Sequence, residues 1–430
     1  MEDVKRGRAR GENSWEIRDP IHGYIRVNEL EKEIIDNRFL QRLKRIKQLG
    51  LVHVVYPGGE HSRFTHSLGT MHVAGLMGKR LESQGVIDED DVQVLRLAGL
   101  IHDVGHGPFS HVFEDLLHEK RGMTHEDLTI WIVENTELKD ILERGGYDAK
   151  KIAEISVGRY KGKKRFLNDV MVSGFCADIL DYLERDSYHT GVEYGRIDVD
   201  RITNSVIALG DQLAIDATAL YALESLIIAR YEMFRAVYFH RTVRAATIMI
   251  REVMFLADAE LGLTSFSSPG EYYRLVDEYV ISSILDLKTA SKKLELARDL
   301  LEKLLRRELL KSCYERVFHT HDTLYSSLIK EIKLREAIIG EIAELAEVER
   351  EDVYLDFPTL LSVPHYPLRD FPTYVRGEIT PLTSISHLVS SLSGYMNVLR
   401  VYTWESHRER VTKASESVLG KPHFTLGISY

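Results

Sequence analysis

Residues 95–114 read LRLAGLIHDVGHGPFSHVFE, and the rest of the chain is organised around them. An apolar helical run (Leu95, Leu97, Ala98, Leu100, Ile101) ends in His102-Asp103, and His106 follows one turn later. Gly105, Gly107 and Pro108 then break the helix, and the spacing predicts a second helix from Phe109 that carries His111 and Glu114. An imidazole beside a carboxylate at a buried helix end offers a nitrogen and an oxygen to a metal ion, and His106 faces the same place as His102. A lone His-Asp pair would read as a cap or a surface ion pair. Three histidines and two carboxylates within thirteen residues do not, because gathering them unpaired beside apolar helix would cost roughly several kcal/mol. A metal site accounts for them better.

Working outward, Ser62 is placed to cap a helix running to about Ser83, Gln84-Gly85 turns the chain, and Asp88–Val104 forms the next helix. Residues equidistant from the turn of an antiparallel helix pair meet, and the midpoint of 66 and 103 is that turn. His66 is therefore expected opposite His102 and Asp103 as a third ligand, with Arg63 one turn earlier pointing the same way. Further on, a helix over 169–190 places Asp178, Asp181, Tyr182, Arg185, Asp186 and His189 on one polar face. Such a stripe is by default a solvated face, but tyrosine and histidine among the acids, with Cys176-Ala177 beside Asp178, suit a half-buried wall. Asp178 becomes the expected fourth ligand. Thr124-His125-Glu126 reads as a helix start, and 145–167 as a Gly- and Lys-rich connection. Asp216–Ala257 is strongly helical and carries Arg230, Tyr231, Arg235, Tyr238, His240, Arg241 and Arg244. These residues could snorkel over a core or receive a triphosphate and a stacked base.

Composition sets bounds. The 430 residues can bury a large core, and a formal net charge of −10 gives no general attraction to nucleic acid or anionic membrane. Two cysteines, Cys176 and Cys313, exclude a disulfide framework and fit a reducing compartment. Without an apolar signal core or a span of membrane length, a cytoplasmic protein is expected. Residues 1–13 read as disordered. A hairpin is expected over Trp15–Asn28, turning at Asp19-Pro20-Ile21-His22-Gly23, then a helix over Glu31–Leu49 closed by Gly50, then an extended piece at Val52–Tyr56. The hairpin and helix form an N-terminal segment, 14–60, and the helical core covers 61–263. SFSSPG at 265–270 marks a boundary before a C-terminal α+β lobe over 270–430. That lobe reads as amphipathic helix over Glu271–Val348, extended chain over Val353–Val375 and helix again over Ile385–Tyr402. The fold class is mainly α.

With these residues assembled, the chain resembles the HD-domain phosphohydrolases, and within them the deoxynucleoside triphosphate triphosphohydrolases that include a vertebrate enzyme with a sterile-alpha-motif domain. The resemblance rests on DPIHG at 19–23, FLQRLKRIKQLG at 39–50, YPGGEHSRFTHSLG at 56–69 and LIHDVGHGPFSHVFE at 100–114. It continues through THE at 124–126, DILDYLERDSYHTG at 178–191 and VYFHRTVRA at 237–245. It implies an HD helical core and a tightly bound divalent transition metal (Fe, Mn, Ni, Co or Zn) on His66, His102, Asp103 and Asp178. His106, His111, Glu114 and His125 match the polar groups around the α-phosphate, with His125 the acid or base and either Glu126 or another carboxylate holding its ring. Arg63, Tyr182, Asp186, Tyr238 and Arg241 match positions that hold phosphates, sugar and base, and Tyr238 is the candidate gate against a 2′-hydroxyl. Asp36, Gln41 and Lys44 match a guanine-nucleotide activator site, but lysine stands where the family has an arginine, whose planar fork it cannot reproduce. Ile179 stands where the vertebrate enzyme has a phosphate-binding lysine. The implied reaction is hydrolysis of dNTPs, with Mg²⁺ on the substrate, to deoxynucleoside and tripolyphosphate by a homo-oligomer, dimer or tetramer. The rivals are an HD phosphohydrolase acting on nucleoside monophosphates or signalling nucleotides, and a nucleotide-binding regulator without turnover.

Overall fold

A computed structural model describes residues 14–286, 291–318, 332–357, 371–392 and 397–421. The segment read as disordered, 1–13, lies outside the described residues. The fold is mainly helical, with a hairpin at the N-terminus and small sheets toward the C-terminus, as the sequence indicates.

Strands β1 (Trp15–Asp19) and β2 (Gly23–Val27) form the antiparallel hairpin. The helix expected over 31–49 is two, α1 (Glu29–Ile35) and α2 (Arg38–Arg42), followed by a 3₁₀ turn at Leu43–Arg45. Asn37 causes the break: its extended backbone leaves the first helix, and its side chain accepts from Phe39 N to start the second. Val52–Val54 is a 3₁₀ turn rather than extended.

The centre of the molecule is the antiparallel pair α3 (Arg63–Ser83) and α4 (Glu89–Ile101), joined through Gln84-Gly85 as expected. Leu68, Met71, Ala74 and Met77 of α3 and Leu95, Ala98 and Ile101 of α4 are buried, most of them fully. The two backbones approach closely at Gly99, where a Cβ would stand 2.9 Å from the Thr70 carbonyl oxygen and 3.0 Å from Met71 Cα. That approach, three residues before His102 and one turn past His66, sets the spacing of the two imidazoles. The next helix, α5 (His111–Arg121), begins two residues later than expected, because Phe109 and Ser110 adopt positive φ values of 56° and 57°.

The connection read at 145–167 contains a helix. α6 (His125–Glu134), α7 (Glu137–Arg144) and α8 (Ala149–Ser156) follow one another, the last capped by Asp148. The helix expected over 169–190 is split into α9 (Leu167–Met171) and α10 (Ala177–Thr190). The polar stripe of α10 is not a solvated face, since Asp181, Tyr182, Arg185 and Asp186 are all buried. After α11 (Val199–Thr203), strands β3 (Val206–Leu209) and β4 (Gln212–Asp216) precede α12 (Leu220–Met233), a π-helical turn at Phe234–Tyr238 and α13 (Arg241–Leu261).

Beyond the SFSSPG stretch, Ser268 caps a short helix, α14 (Pro269–Tyr272), with proline in its first turn. α15 (Asp277–Asp286) and α16 (Lys292–Leu305) continue the helical character, but Lys311–Phe318 is a strand, β5. Strands β7 (Pro372–Val375) and β8 (Glu378–Pro381) come later in the chain, the helix expected over 385–402 ends at Leu392, and Asn397–Thr403 is strand β9. Val398, Leu399, Val401 and Tyr402 suit a central strand, and β9 pairs with β5 on one side and β6 (Tyr354–Asp356) on the other. A second small core beneath this sheet joins Tyr314, Ile342, Val401 and Val411. From the sheet, Arg400 Nη1 donates to the Phe239 carbonyl at 2.6 Å, Tyr402 OH donates to the Arg241 carbonyl at 3.0 Å, and Arg244 donates to both carboxylate oxygens of Asp356.

Overpacking a close helix contact costs about 1–3 kcal/mol. Gly99→Ala should destabilise the chain by that much in chemical denaturation and lower metal affinity as well, because the added methyl separates α3 from α4 beside His66 and His102.

Candidate functional site

The metal-type donors come from three separate stretches. His66 on α3 and His102 just past α4 face each other, with Nε2 atoms 3.2 Å apart. Asp103 places Oδ1 3.3 Å from His102 Nε2 and Oδ2 3.9 Å from His66 Nε2. Asp178, in the first turn of α10, brings Oδ1 within 2.9 Å of His66 Nε2 and 3.9 Å of His102 Nε2. The predicted set of four is thus brought together.

Their hydrogen bonds fix which atoms are free. His102 Nδ1 lies 2.8 Å from the Gly99 carbonyl, which can accept but not donate, so Nδ1 carries the proton and Nε2 keeps its lone pair. His66 Nδ1 is 2.8 Å from Asp181 Oδ2. Both Nε2 atoms therefore point at one spot that two carboxylates also border. Two lone pairs and two anions at one point form a donor set that fits a divalent cation of the N/O-binding transition series. The electrostatics agree: burial opposes charge on His66, but hydrogen bonds to Asp178 and Asp181 outweigh it and push its pKa up to about 10. Burial pushes His102 down instead.

Arg63 is buried and committed: Nη1 donates to Asp103 Oδ2 at 2.6 Å and Nε to Ser110 Oγ at 2.7 Å. Its charge holds the Asp103 carboxyl well below the usual range although burial works the other way.

Beside this set lie His106, His111, His125 and Glu114. The rings of His106 and His125 stack with centroids 3.9 Å apart, and His106 Nε2 is 3.3 Å from Asp103 Oδ1. Glu114 joins the other two, with Oε1 2.6 Å from His125 Nδ1 and Oε2 3.0 Å from His111 Nδ1. It also accepts from the backbone of His125 at 3.1 Å. Burial disfavours the cation of His125, but the adjacent Glu114 carboxylate outweighs it and raises its pKa. Burial and the neighbouring charges of Arg63 and His125 hold His106 well below its ordinary value. Glu126 is a correction. It does not hold the His125 ring but pairs with Arg159 at 2.7 Å, and the capping partner of Thr124 is Asp127. At the helix start the Glu126 side chain reaches Arg159 at the edge of the site, and Glu114 from α5 holds the ring instead.

Farther along α10, Asp186 Oδ1 accepts from His61 Nε2 at 2.8 Å and Oδ2 from Tyr238 OH at 2.6 Å. The rings of Tyr182 and Tyr238 meet edge to face, 6.4 Å apart. Tyr238 ends the π-helical turn, a distortion often found at functional sites. One cavity of about 610 Å³ is lined by most of these groups, among them His102, His125, Asp178, Tyr182, Tyr238 and Arg244; His61 and His66 lie behind its wall. Its volume falls within the range of small-molecule sites, about 300–1,000 Å³.

Arg241 does not line this cavity; Arg244, one turn on, does. Asp36, Gln41 and Lys44 lie apart from it and not on one helix. Asp36 ends α1 and accepts from Lys32, whereas Lys44 donates to Gln41 Oε1 at 2.7 Å. Several contributors escaped the sequence reading. Asp181 was one more acid on a stripe, His22 one residue of a turn, and His61 a neighbour of a glycine pair. The motifs containing them were visible, but their contacts span more than a hundred residues.

Comparison with known proteins follows the same residues. Residues 63–186 match the HD domain, and residues 197–425 match the HD associated region. The chain is 32% identical over 327 residues to a deoxynucleoside triphosphate triphosphohydrolase SAMHD1 homolog of Dictyostelium discoideum, which covers 72% of this chain and 62% of that protein. It is 31% identical over 341 residues to the human deoxynucleoside triphosphate triphosphohydrolase SAMHD1, covering 69% of this chain and 54% of that one. An uncharacterized protein of Bacillus subtilis is 35% identical over 268 residues, 61% of this chain and 60% of its own length. The chain thus spans less than two thirds of these relatives. A hypothetical protein from Aquifex aeolicus of known crystal structure superposes with a TM-score of 0.76 at 28% identity, covering 94% of this chain and 100% of that one. The donor set of His66, His102 and Asp103, the HD match around it and the associated region after it lead to one conclusion: the chain belongs to the HD-domain family, among relatives of the deoxynucleoside triphosphate triphosphohydrolases.

Proposed function

We propose that this protein is a metal-dependent phosphohydrolase that cleaves dNTPs at the α-phosphorus to deoxynucleoside and tripolyphosphate. The observation that carries the reading is convergence: His102, Asp103 and Asp178 of the donor set, the His125–Glu114 pair and the Tyr182–Tyr238 wall all open onto one cavity. When bound by His66, His102, Asp103 and Asp178, a divalent transition metal supplies Lewis-acid polarisation of a phosphoryl oxygen and acidifies water.

The chain's own groups divide the remaining work. The leaving 5′-oxygen needs a proton, and His125 holds one with its Nδ1 side anchored on Glu114, leaving Nε2 to serve as the acid. His111 shares the same carboxylate, and His106 stacks beneath His125 to fix its plane. Tyr182 and Tyr238 form a wall for sugar and base, with Tyr238 tied to Asp186. Charge supports the role of Mg²⁺ on the substrate. Asp103, Glu114, Asp115, Glu126, Asp178 and Asp186 line the cavity against two described arginines, Arg63 and Arg244, each already paired with a carboxylate. A bare triphosphate would be repelled there, and a Mg²⁺-bound one is accepted. A homo-oligomer, dimer or tetramer, belongs to the same proposal, whereas the lysine at position 44 and the spread of Asp36, Gln41 and Lys44 over separate elements speak against a guanine-nucleotide activator there.

The test is an assay of all four dNTPs, singly and mixed, against several metals, with products resolved by ion exchange. Intact tripolyphosphate is expected; release of pyrophosphate or orthophosphate, or turnover of monophosphates alone, would refute the reading. In the same assay Asp178→Asn should lose metal and turnover while its far-ultraviolet circular dichroism persists.

His125→Ala should retain metal and lose about 10²–10⁴-fold in turnover. The raised pKa of His125 means that its acid form persists to higher pH and is lost as pH climbs through that value. Glu114→Gln removes the raising charge, so the alkaline limb of the kcat profile should move to lower pH. An unmoved limb would reassign the acid.

Tyr238→Ala should narrow the ratio of dNTP to NTP hydrolysis and raise KM for dNTPs. Equal hydrolysis of both classes by the unmodified enzyme would eliminate the gate.

A further inference from the structure

DPIHG at 19–23 has no part in the reaction just described, yet the hairpin turn it forms ends at the back of the metal centre. His22 Nε2 lies 2.6 Å from Asp181 Oδ1, and Asp181 Oδ2 lies 2.8 Å from His66 Nδ1. Arg185 donates to the same carboxylate through Nε to Oδ2 and Nη2 to Oδ1, each at 2.9 Å. Arg185 also donates through Nη1 to Asp19 Oδ2 at 2.8 Å, and Asp19 Oδ1 accepts the backbone N–H groups of Ile21 and His22 at 2.9 Å each. Asp19, Asp181 and Arg185 are buried, Asp181 and Arg185 fully.

From these contacts we infer that Asp181 and His22 are positioning residues that set the tautomer and ring orientation of His66 for metal binding, and that the turn motif exists to complete this network. The inference rests on His66 being a ligand. An ionised carboxylate accepts and does not donate, and offers about four lone-pair sites. Four donors fill those of Asp181: His66, His22 and two from Arg185. The proton shared with His66 therefore resides on His66 Nδ1, which leaves Nε2 as the free donor atom. Carboxylates that hold ligand imidazoles in this way also raise their basicity.

Gly69 supplies an independent sign that the arrangement is built. It lies on α3 three residues after His66, and a Cβ there would stand 1.8 Å from Asp181 Oδ1 and 2.4 Å from Arg185 Nη2. A carboxylate on a short side chain with four bonds cannot yield without breaking some of them. The helix thus keeps a bare position where the network passes.

The test is Mn²⁺ titration of the full metal-free chain, with free ion read by electron paramagnetic resonance and folding followed by circular dichroism. Asp181→Asn should bind Mn²⁺ about 10–100-fold more weakly. His22→Ala should weaken it less, and His22→Gln, which restores an N–H donor of similar reach, should recover most of the loss. Gly69→Ala should weaken binding although every polar group of the network is retained. Asp181→Asn also disturbs Arg185, and where that variant fails to fold the His22 pair decides alone. Wild-type Mn²⁺ affinity in folded His22→Ala and Gly69→Ala would overturn the inference. His66→Ala separates the two levels: unchanged affinity there removes the ligand assignment and the inference with it, whereas weakened affinity beside an unaffected His22→Ala refutes the positioning role alone.

Discussion

Everything at the site depends on how closely two helix backbones can approach. α3 and α4 touch at a glycine, where a methyl group would meet a carbonyl oxygen and an α-carbon of the facing helix. Interiors packed to crystal-like density do not absorb such an atom without shifting. With the backbones this close, imidazoles projecting from the two helices bring their Nε2 atoms to 3.2 Å. A wider helix pair would fold as well but would leave two separate histidines, each satisfied by its own neighbour. The third stretch, α10, has to meet that point from outside, and it does so with a polar stripe that is buried because its partners are polar too.

The same closeness makes the site electrostatically one-sided. Asp103, Asp178 and Asp181 surround the imidazole pair, and the buried arginines Arg63 and Arg185 answer them from behind without entering the centre. Burying an ionised group is tolerable only when it is paired and hydrogen-bonded. Each of these carboxylates meets that condition through a partner on a different element, so charge satisfaction links the hairpin, α3, α4 and α10 in one network. The cost is that the donor atoms turned inward are left short of positive charge. A divalent cation suits such a donor set.

The metal set was legible because its logic is local and periodic. The His-Asp pair ends an apolar helix, and symmetry about Gln84-Gly85 places His66 opposite it without any knowledge of tertiary structure. Asp178 required one further step, from the mixture of aromatic and acidic residues on its helix. What stayed hidden was partnership across long distances. Nothing in Thr124-His125-Glu126 says that Glu114, from another helix, holds the ring while Glu126 turns to Arg159. The turn motif could be read as a hairpin, not as the far end of a chain of hydrogen bonds reaching Asp181. Errors of element type have similar causes. Asn37 looks like an interior helix residue until its side chain is seen capping Phe39, and the 397–403 stretch becomes a strand because β5 and β6 flank it.

The bracing of the π-helical turn by the C-terminal sheet has a consequence for the order in which the site comes into being. Ribosomes deliver the chain from its N-terminus, and domains fold as they emerge. His66, His102, Asp103 and Asp178 all precede Tyr238, and the groups that grip the backbone just beyond Tyr238 and the adjoining helix, Asp356, Arg400 and Tyr402, come last. A nascent chain released from the exit tunnel as far as α13 already carries all four residues of the candidate donor set. The Tyr182–Tyr238 wall of the cavity gains its final supports only when β9 pairs into its sheet. The donor residues thus emerge before the supports of the cavity wall, and a prematurely terminated chain would carry the first without the second.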